Sequence, residues 1–116
     1  MTRQQAERRG RRGERLAAWY LRLKGYRILD QRLRTPRGEI DLVAKRGRTI
    51  AFVEVKARNT EAELALAIDE RRLARVAAAA EILSARFAAH GEDIRIDVIL
   101  IGRGRWPHHI ENAWLG

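Results

Sequence analysis

The sequence predicts a single α/β domain in which a helix, three strands, a second helix and a fourth strand build a mixed central sheet flanked by helices. Three observations predict it. Leu16, Ala17, Tyr20 and Leu21 recur at helical spacing ahead of Gly25, and Leu73, Val76, Ala77, Ala80, Leu83 and Phe87 do so again later. Between them, the β-branched runs Ile40–Val43 and Phe52–Val55 flank Lys45-Arg46-Gly47-Arg48, a glycine-containing connection suited to an antiparallel hairpin. Finally, Ile94–Ile101 begins in alternation and ends as a continuous apolar run, as in a strand covered on both faces.

Taken in order, residues 1–13 form a basic stretch with Arg3, Arg8, Arg9, Arg11 and Arg12 and little apolar material, expected to fray. The first helix starts at Leu16 and ends near Lys24-Gly25, where glycine suits the C-terminal cap. Tyr26–Leu29 opens a first strand that gives out in the polar run Asp30–Arg37, and Pro36-Arg37-Gly38 signals a turn into the hairpin. Thr60-Glu61-Ala62-Glu63 fits a capping box for a long amphipathic helix that ends about Ala89–Gly91. Residues 102–116 are a tail or an edge strand carrying Trp106, Trp114 and His108-His109. Adjacent side chains on an extended segment point to opposite faces, so these histidines pack at a surface or edge and do not share a metal.

The 116 residues suffice for one modest core. Without cysteine there is no disulfide framework and no thiolate metal site, which points to a reducing cytoplasm. The apolar runs fall far short of the roughly 20 residues that span a bilayer, and Arg22 cuts short the patch Leu16–Leu21, so neither a membrane span nor a signal peptide is expected. A formal charge of +9 and a pI near 11.3 point to a polyanionic partner, nucleic acid above all, although an arginine-rich solvated surface would look the same. Lysine is therefore the more informative cation, because only Lys24, Lys45 and Lys56 occur and Lys56 lies inside an apolar strand.

Asp41, Glu54 and Lys56 are charges placed where a half-buried strand should be apolar. If Gly47-Arg48 is a two-residue loop, Arg46 faces Thr49, and counting back sets Asp41 opposite Glu54 with Lys56 on the same face. Carboxylates about 5 Å apart repel unless a proton or cation lies between them, and a divalent ion with oxygen ligands meets that need. Arg58, two residues beyond Lys56, is a candidate phosphate contact, and Glu39, beside Gly38, takes a supporting place. Arg71, Arg72 and Arg75 are either a solvated face or a phosphate-binding surface, and by spacing Glu14 is a solvated partner of Arg11 or Arg15.

The ordered motifs Gly10-x-x-Gly13-Glu14-x-x-Ala17, Gly25-Tyr26-x-Ile28-Leu29, Gly38-Glu39-Ile40-Asp41-Leu42, Val53-Glu54-Val55-Lys56-x-Arg58, Ile96-Asp97-Val98 and Ile110-x-Asn112-Ala113-Trp114 span nearly the whole chain. Together they resemble the YraN-type family of small predicted bacterial endonucleases. That family falls in the restriction-endonuclease-like PD-(D/E)xK superfamily and is similar to archaeal Holliday-junction resolvases. The resemblance implies a restriction-endonuclease-like core and a metal-dependent endonuclease that hydrolyses phosphodiester bonds in DNA, including branched or structured DNA. It implies Asp41, Glu54, the Val55 carbonyl and Glu14 as ligands of Mg2+ or Mn2+. Lys56 would complete a catalytic set with Asp41 and Glu54, either by orienting or deprotonating water or by stabilising the oxyanion. Arg58, Arg72, Arg11 and Arg12 would contact nucleic acid, and a homodimer is in keeping with the similar resolvases. The alternatives are a non-catalytic nucleic-acid-binding module that retains the nuclease fold, and a structural adaptor whose charge only keeps it in solution.

Overall fold

The computed structural model describes residues 2–58, 60, 62–63 and 69–114, with Arg9 described by its backbone alone. Helix α1 (Arg3–Leu23) is followed by strands β1 (Arg27–Thr35), β2 (Gly38–Arg46) and β3 (Thr49–Arg58), helix α2 (Glu70–Phe87), and strands β4 (Asp93–Gly102) and β5 (His108–Ile110). The five strands form one mixed sheet in the order β1-β2-β3-β4-β5. Only the β3–β4 pairing is parallel, and α2 lies in the connection between those two strands.

The first helix starts well before Leu16. Thr2 caps it through a reciprocal pair: the Thr2 hydroxyl accepts from the Gln5 N–H at 3.1 Å, and the Gln5 side chain accepts from the Thr2 N–H at 2.9 Å. Residues 3–13 therefore extend the helix instead of fraying, with an Arg3–Glu7 pair one turn apart on its exposed side. At the other end Gly25 turns left-handed at φ 89°. The Tyr26 N–H reaches Leu21 O and the Gly25 N–H reaches Arg22 O, which satisfies the last carbonyls.

The polar run after Leu29 does not end β1, which continues to Thr35 along β2. Backbone pairing carries a polar segment here because β1 is an edge strand, where Gln31 and Arg32 face solvent while Leu29 and Leu33 pack toward α2. The long helix predicted from Thr60 begins instead at Glu70, where the Asp69 carboxylate caps the Arg71 N–H at 2.9 Å. Thr60 does accept from the Glu63 N–H at 3.1 Å, so that stretch has a cap of its own, while Glu61 lies outside the described residues. The end of the chain forms an edge strand, β5, paired with β4.

β3 is covered on both faces. Val53 and Ala51 face the core under α1 with Ala17, Leu21 and Ile99, whereas Phe52 and Ile50 face the core under α2 with Leu73, Val76 and Ala80. Two close approaches clamp the helices to the sheet. A Cβ on Gly13 would come within 2.9 Å of Ala57 Cβ, and one on Gly38 within 2.8 Å of the Arg75 carbonyl oxygen. Gly13 thus lets α1 lie close to β3, and Gly38 lets β2 start directly beneath α2.

Candidate active site

The hairpin turn has the expected length. Gly47 has φ 61° at the first loop position, the type II′ pattern, and Arg46 faces Thr49. The ladder then runs to Leu42–Val53 and stops one pair short of Asp41 and Glu54. On its other side β2 pairs Gln31 with Leu42 and Leu33 with Ile40, so Asp41 is skipped there too; Arg32, which would face it, is left-handed at φ 52°. Consistent with a break at this point, Ile40 packs into the α2-side core and Leu42 into the α1-side core, although strand alternation would put both on one face.

Released from both ladders, Asp41 turns its carboxylate into the fork between β2 and β3, where Oδ2 accepts from the Val55 N–H at 2.7 Å. Asp41 and Glu54 are thus neighbours across the fork rather than a ladder pair. Burial is the largest effect on the Asp41 carboxyl and raises its pKa; the charge of Glu54 raises it further, and the result is a pKa of about 7 despite the Val55 N–H. Glu54, 8% exposed, holds Lys56, 5% exposed, at 2.7 Å between Oε1 and Nζ. That pair lies on the face toward α2, whose Arg72 Nε stands 3.7 Å from the same Glu54 oxygen. Glu14 approaches from α1 with both oxygens 3.2 Å from Arg32 Nε, and its charge also raises the Asp41 pKa.

Asp41 is a shared wall between two hollows. One, of about 480 Å³, lies against α2 and is lined by Arg34, Arg37, Asp41, Glu54, Arg72 and Arg75 among others. The other, of about 320 Å³, lies against α1 and includes Arg11, Glu14, Arg32 and Asp41. Asp41, Glu54, Lys56, Glu14, Arg72 and Arg11 are therefore gathered about one fork, and Glu39 lines both hollows while pairing with Arg34 at 3.4 Å. Arg58 and Arg12 are not. The Arg58 guanidinium donates to Ala57 O at 2.8 Å and, with Arg12, lines a third and larger groove beside α1.

Residues 13–101 match the profile of the uncharacterised protein family UPF0102. The chain belongs to the UPF0102 family. It is 66% identical over 114 residues to a UPF0102 protein of Erythrobacter litoralis, with 98% of each chain covered. A UPF0102 protein of Sphingopyxis alaskensis is 62% identical over 114 residues, again with 98% of each chain covered. One from Rhizorhabdus wittichii is 60% identical over 111 residues, covering 96% of this chain and 94% of the relative. The resemblance read from the motifs thus holds at the level of the family.

Two features of this UPF0102 chain were not legible in its residues. No residue type marks Arg32 as left-handed, the conformation found opposite Asp41 where the β1–β2 ladder skips it. Behind β4 lies a buried polar cluster: Asp97 accepts from Arg95 at 2.8 Å to each oxygen, from His109 Nε2 at 2.8 Å and from the Asn112 N–H at 3.0 Å. Lys24 Nζ donates to His109 Nδ1 at 2.6 Å, which leaves Nε2 as the protonated nitrogen facing Asp97. Charged residues in the Ile96-Asp97-Val98 and Ile110–Trp114 stretches were the available signal, but the partners across the chain were not. Among the described residues no helix is long and apolar enough to cross a membrane.

Proposed function

We propose that this chain is a divalent-metal-dependent endonuclease with a restriction-endonuclease-like core, acting on DNA and in particular on branched or otherwise structured DNA. The observation that carries the reading is the fork itself: Asp41, free of both strand ladders, is held by the Val55 N–H next to the buried Glu54–Lys56 pair, in a cleft rimmed by Arg34, Arg72 and Arg75.

The donors fit Mg2+ or Mn2+. Asp41, Glu54 and the Val55 carbonyl offer only hard oxygen atoms, and Glu14 stands behind Asp41. Among the described residues no group of three or more His, Asp and Glu is arranged to hold a metal on its own. Magnesium characteristically binds through one or two carboxylates with water and substrate phosphates, so a two-carboxylate fork suits it. When bound, such an ion would contribute Lewis acidity toward a phosphodiester oxygen and ease deprotonation of water. Lys56 is the cation built into the site. Held to Glu54, it can steady charge on the phosphate or pass a proton to or from water, while Arg72 and Arg11 supply phosphate contacts from opposite sides of Asp41.

Four-way junction, flap and linear DNA incubated with Mg2+ or Mn2+ supply the test. Cleavage that is lost in Asp41→Asn and in Glu54→Gln is expected; no cleavage of any substrate, or cleavage unchanged by both substitutions, would overturn the reading. A second reading, a nucleic-acid-binding module without catalysis, is favoured by the ion pairs that already neutralise Glu54 through Lys56 and Glu14 through Arg32. It predicts DNA binding that is indifferent both to metal and to these substitutions.

A further inference from the structure

A hollow of about 880 Å³, larger than the two that Asp41 walls, lies where α1 crosses the C-terminal ends of β3 and β4. Its floor is apolar and tight, with Gly13 against Ala57, and Ile101 alongside. Its rim is cationic: Arg8 and Arg12 come from α1, Arg58 from the end of β3, and Arg103 and Arg105 from the loop after β4. Its described lining contains no carboxylate.

Trp106 closes one side of this groove. Its residue is 73% exposed, and its ring lies parallel to that of Trp19 at 6.0 Å between centroids and 8° between planes. An indole left so far in water loses apolar burial, and the stack on Trp19 fixes its orientation as well as covering part of it. A flat aromatic face beside a row of guanidinium groups is what unpaired nucleotides need, since each base offers a π-face and each linkage a phosphate. Duplex DNA offers the phosphates but keeps its base faces stacked inside. Along β3 the groove lies beyond the fork, on the α1 side of the sheet: Arg58 is two residues past Lys56, about 7 Å along the strand.

We propose that this groove binds an unpaired DNA strand, with bases stacked on Trp106 and phosphates paired with Arg8, Arg12, Arg58 and Arg103. The proposal rests on the nuclease reading for its meaning, since it names a single-stranded arm as the part of a branched substrate that the protein grips beside the fork. Its binding chemistry is independent of cleavage.

The test is binding of a fluorescein-labelled 15-nucleotide oligothymidine, and of a blunt hairpin duplex of equal phosphate number, in buffer with chelator. The single strand is expected to bind more tightly than the duplex and to quench tryptophan emission. Trp106→Ala should weaken binding roughly tenfold or more, Trp106→Phe should retain most of it, and Arg103→Ala should weaken it more than Arg86→Ala, an equal loss of charge on an exposed residue paired with Asp30. Equal affinity for both oligonucleotides, or Trp106→Ala within twofold of the wild type while circular dichroism shows both folded, would overturn the proposal. Should Trp106→Ala fail to fold, the comparison of Trp106→Phe with Arg103→Ala decides: binding retained by both refutes the groove, and retained only by the phenylalanine supports it. A protein that grips the single strand in this way but never cuts DNA refutes the nuclease reading and leaves the groove standing, whereas one that cuts but is indifferent to Trp106 does the reverse.

Discussion

Asp41 is a carboxylate whose surroundings oppose its own charge. Its pKa in the fold, about 7, lies above the ordinary value of 3.8, so the folded state keeps a proton that the unfolded chain has released. Stability from this residue is therefore complete below about pH 4 and falls as pH rises toward 7. Asparagine removes the charge and can still accept from the Val55 N–H. Asp41→Asn should raise the melting temperature by several degrees at pH 8 in metal-free buffer and have little effect near pH 4, as read by thermal denaturation. Added Mn2+ should stabilise the wild type more than the variant. Asp97 behaves in the opposite sense. Burial works against its charge, but the hydrogen bonds from His109, Arg95 and Asn112 prevail and hold its pKa below the usual carboxylate range. Its contribution is present above about pH 4 and is lost as pH falls through the lowered value. Asp97→Asn should cost about 3–5 kcal/mol at pH 7 by removing the buried charge that Arg95 and His109 both face, with only Tyr26 and Glu111 left to Arg95, and the gap from the wild type should narrow in acid, as measured by urea denaturation across pH. Both acids are conspicuous in the sequence as charges in apolar strands, yet nothing in their local pattern separates them. Only the partners do: Arg95, His109 and Asn112 gather on one, and the charges of Glu54 and Glu14 on the other.

At the scale of elements, the hairpin was legible because its turn chemistry and its alternating pattern agree. Gly47-Arg48 fixes Arg46 against Thr49, and every pair as far as Leu42–Val53 follows from that count. The count fails at Asp41 because it assumes an unbroken ladder, and the left-handed Arg32 is a feature of pairing between strands that no single run displays. Hydrophobic periodicity starts α1 too late because its first turns lack apolar residues; the Thr2–Gln5 reciprocal cap is the signal for its true start. Hydrophobic pattern likewise ends β1 too early, since an edge strand can be polar along a pairing supplied by its neighbour. The glycines that seat the helices were visible but mute until packed. Gly38→Ala would drive a methyl group into the Arg75 carbonyl at 2.8 Å, and because that neighbour is backbone the strand or α2 must move. A loss of about 1–3 kcal/mol is expected. Because the movement would separate Arg72 from Glu54, the cleavage expected on the proposed nuclease reading should fall in this variant by more than its loss of folded protein, with activity compared against the folded fraction by circular dichroism.

Over the whole molecule, the positive charge is not a uniform coat. The formal charge is +9, and arginines concentrate at the cleft against α2, the hollow with Arg11, and the groove with Trp106. On the proposed reading, DNA affinity should fall steeply with salt, and replacing Arg58, a proposed phosphate contact, with alanine should reduce the slope of log affinity against log salt by about 1. A slope that Arg58→Ala leaves unchanged would remove this residue from the interface, whatever the overall affinity. The arrangement of a central sheet flanked by helices followed from the sequence because the periodicity switches cleanly between helix and strand. The location of the arginines did not, because Arg12 and Arg58 are distant in sequence and meet only where α1 crosses β3.

The sheet ends on one side in β5, three residues long, and on the other in β1, nine residues long. A long exposed edge of that kind is a template on which a further chain could lay a strand and begin to aggregate. Arg32 interrupts it in the middle: its left-handed backbone breaks the regular row of donors and acceptors, and Arg27, Gln31 and Arg34 crowd the same strand with polar side chains. The left-handed residue opposite Asp41 thus also blunts the exposed edge, and a substitution that straightened β1 there would restore a more regular template for a further strand.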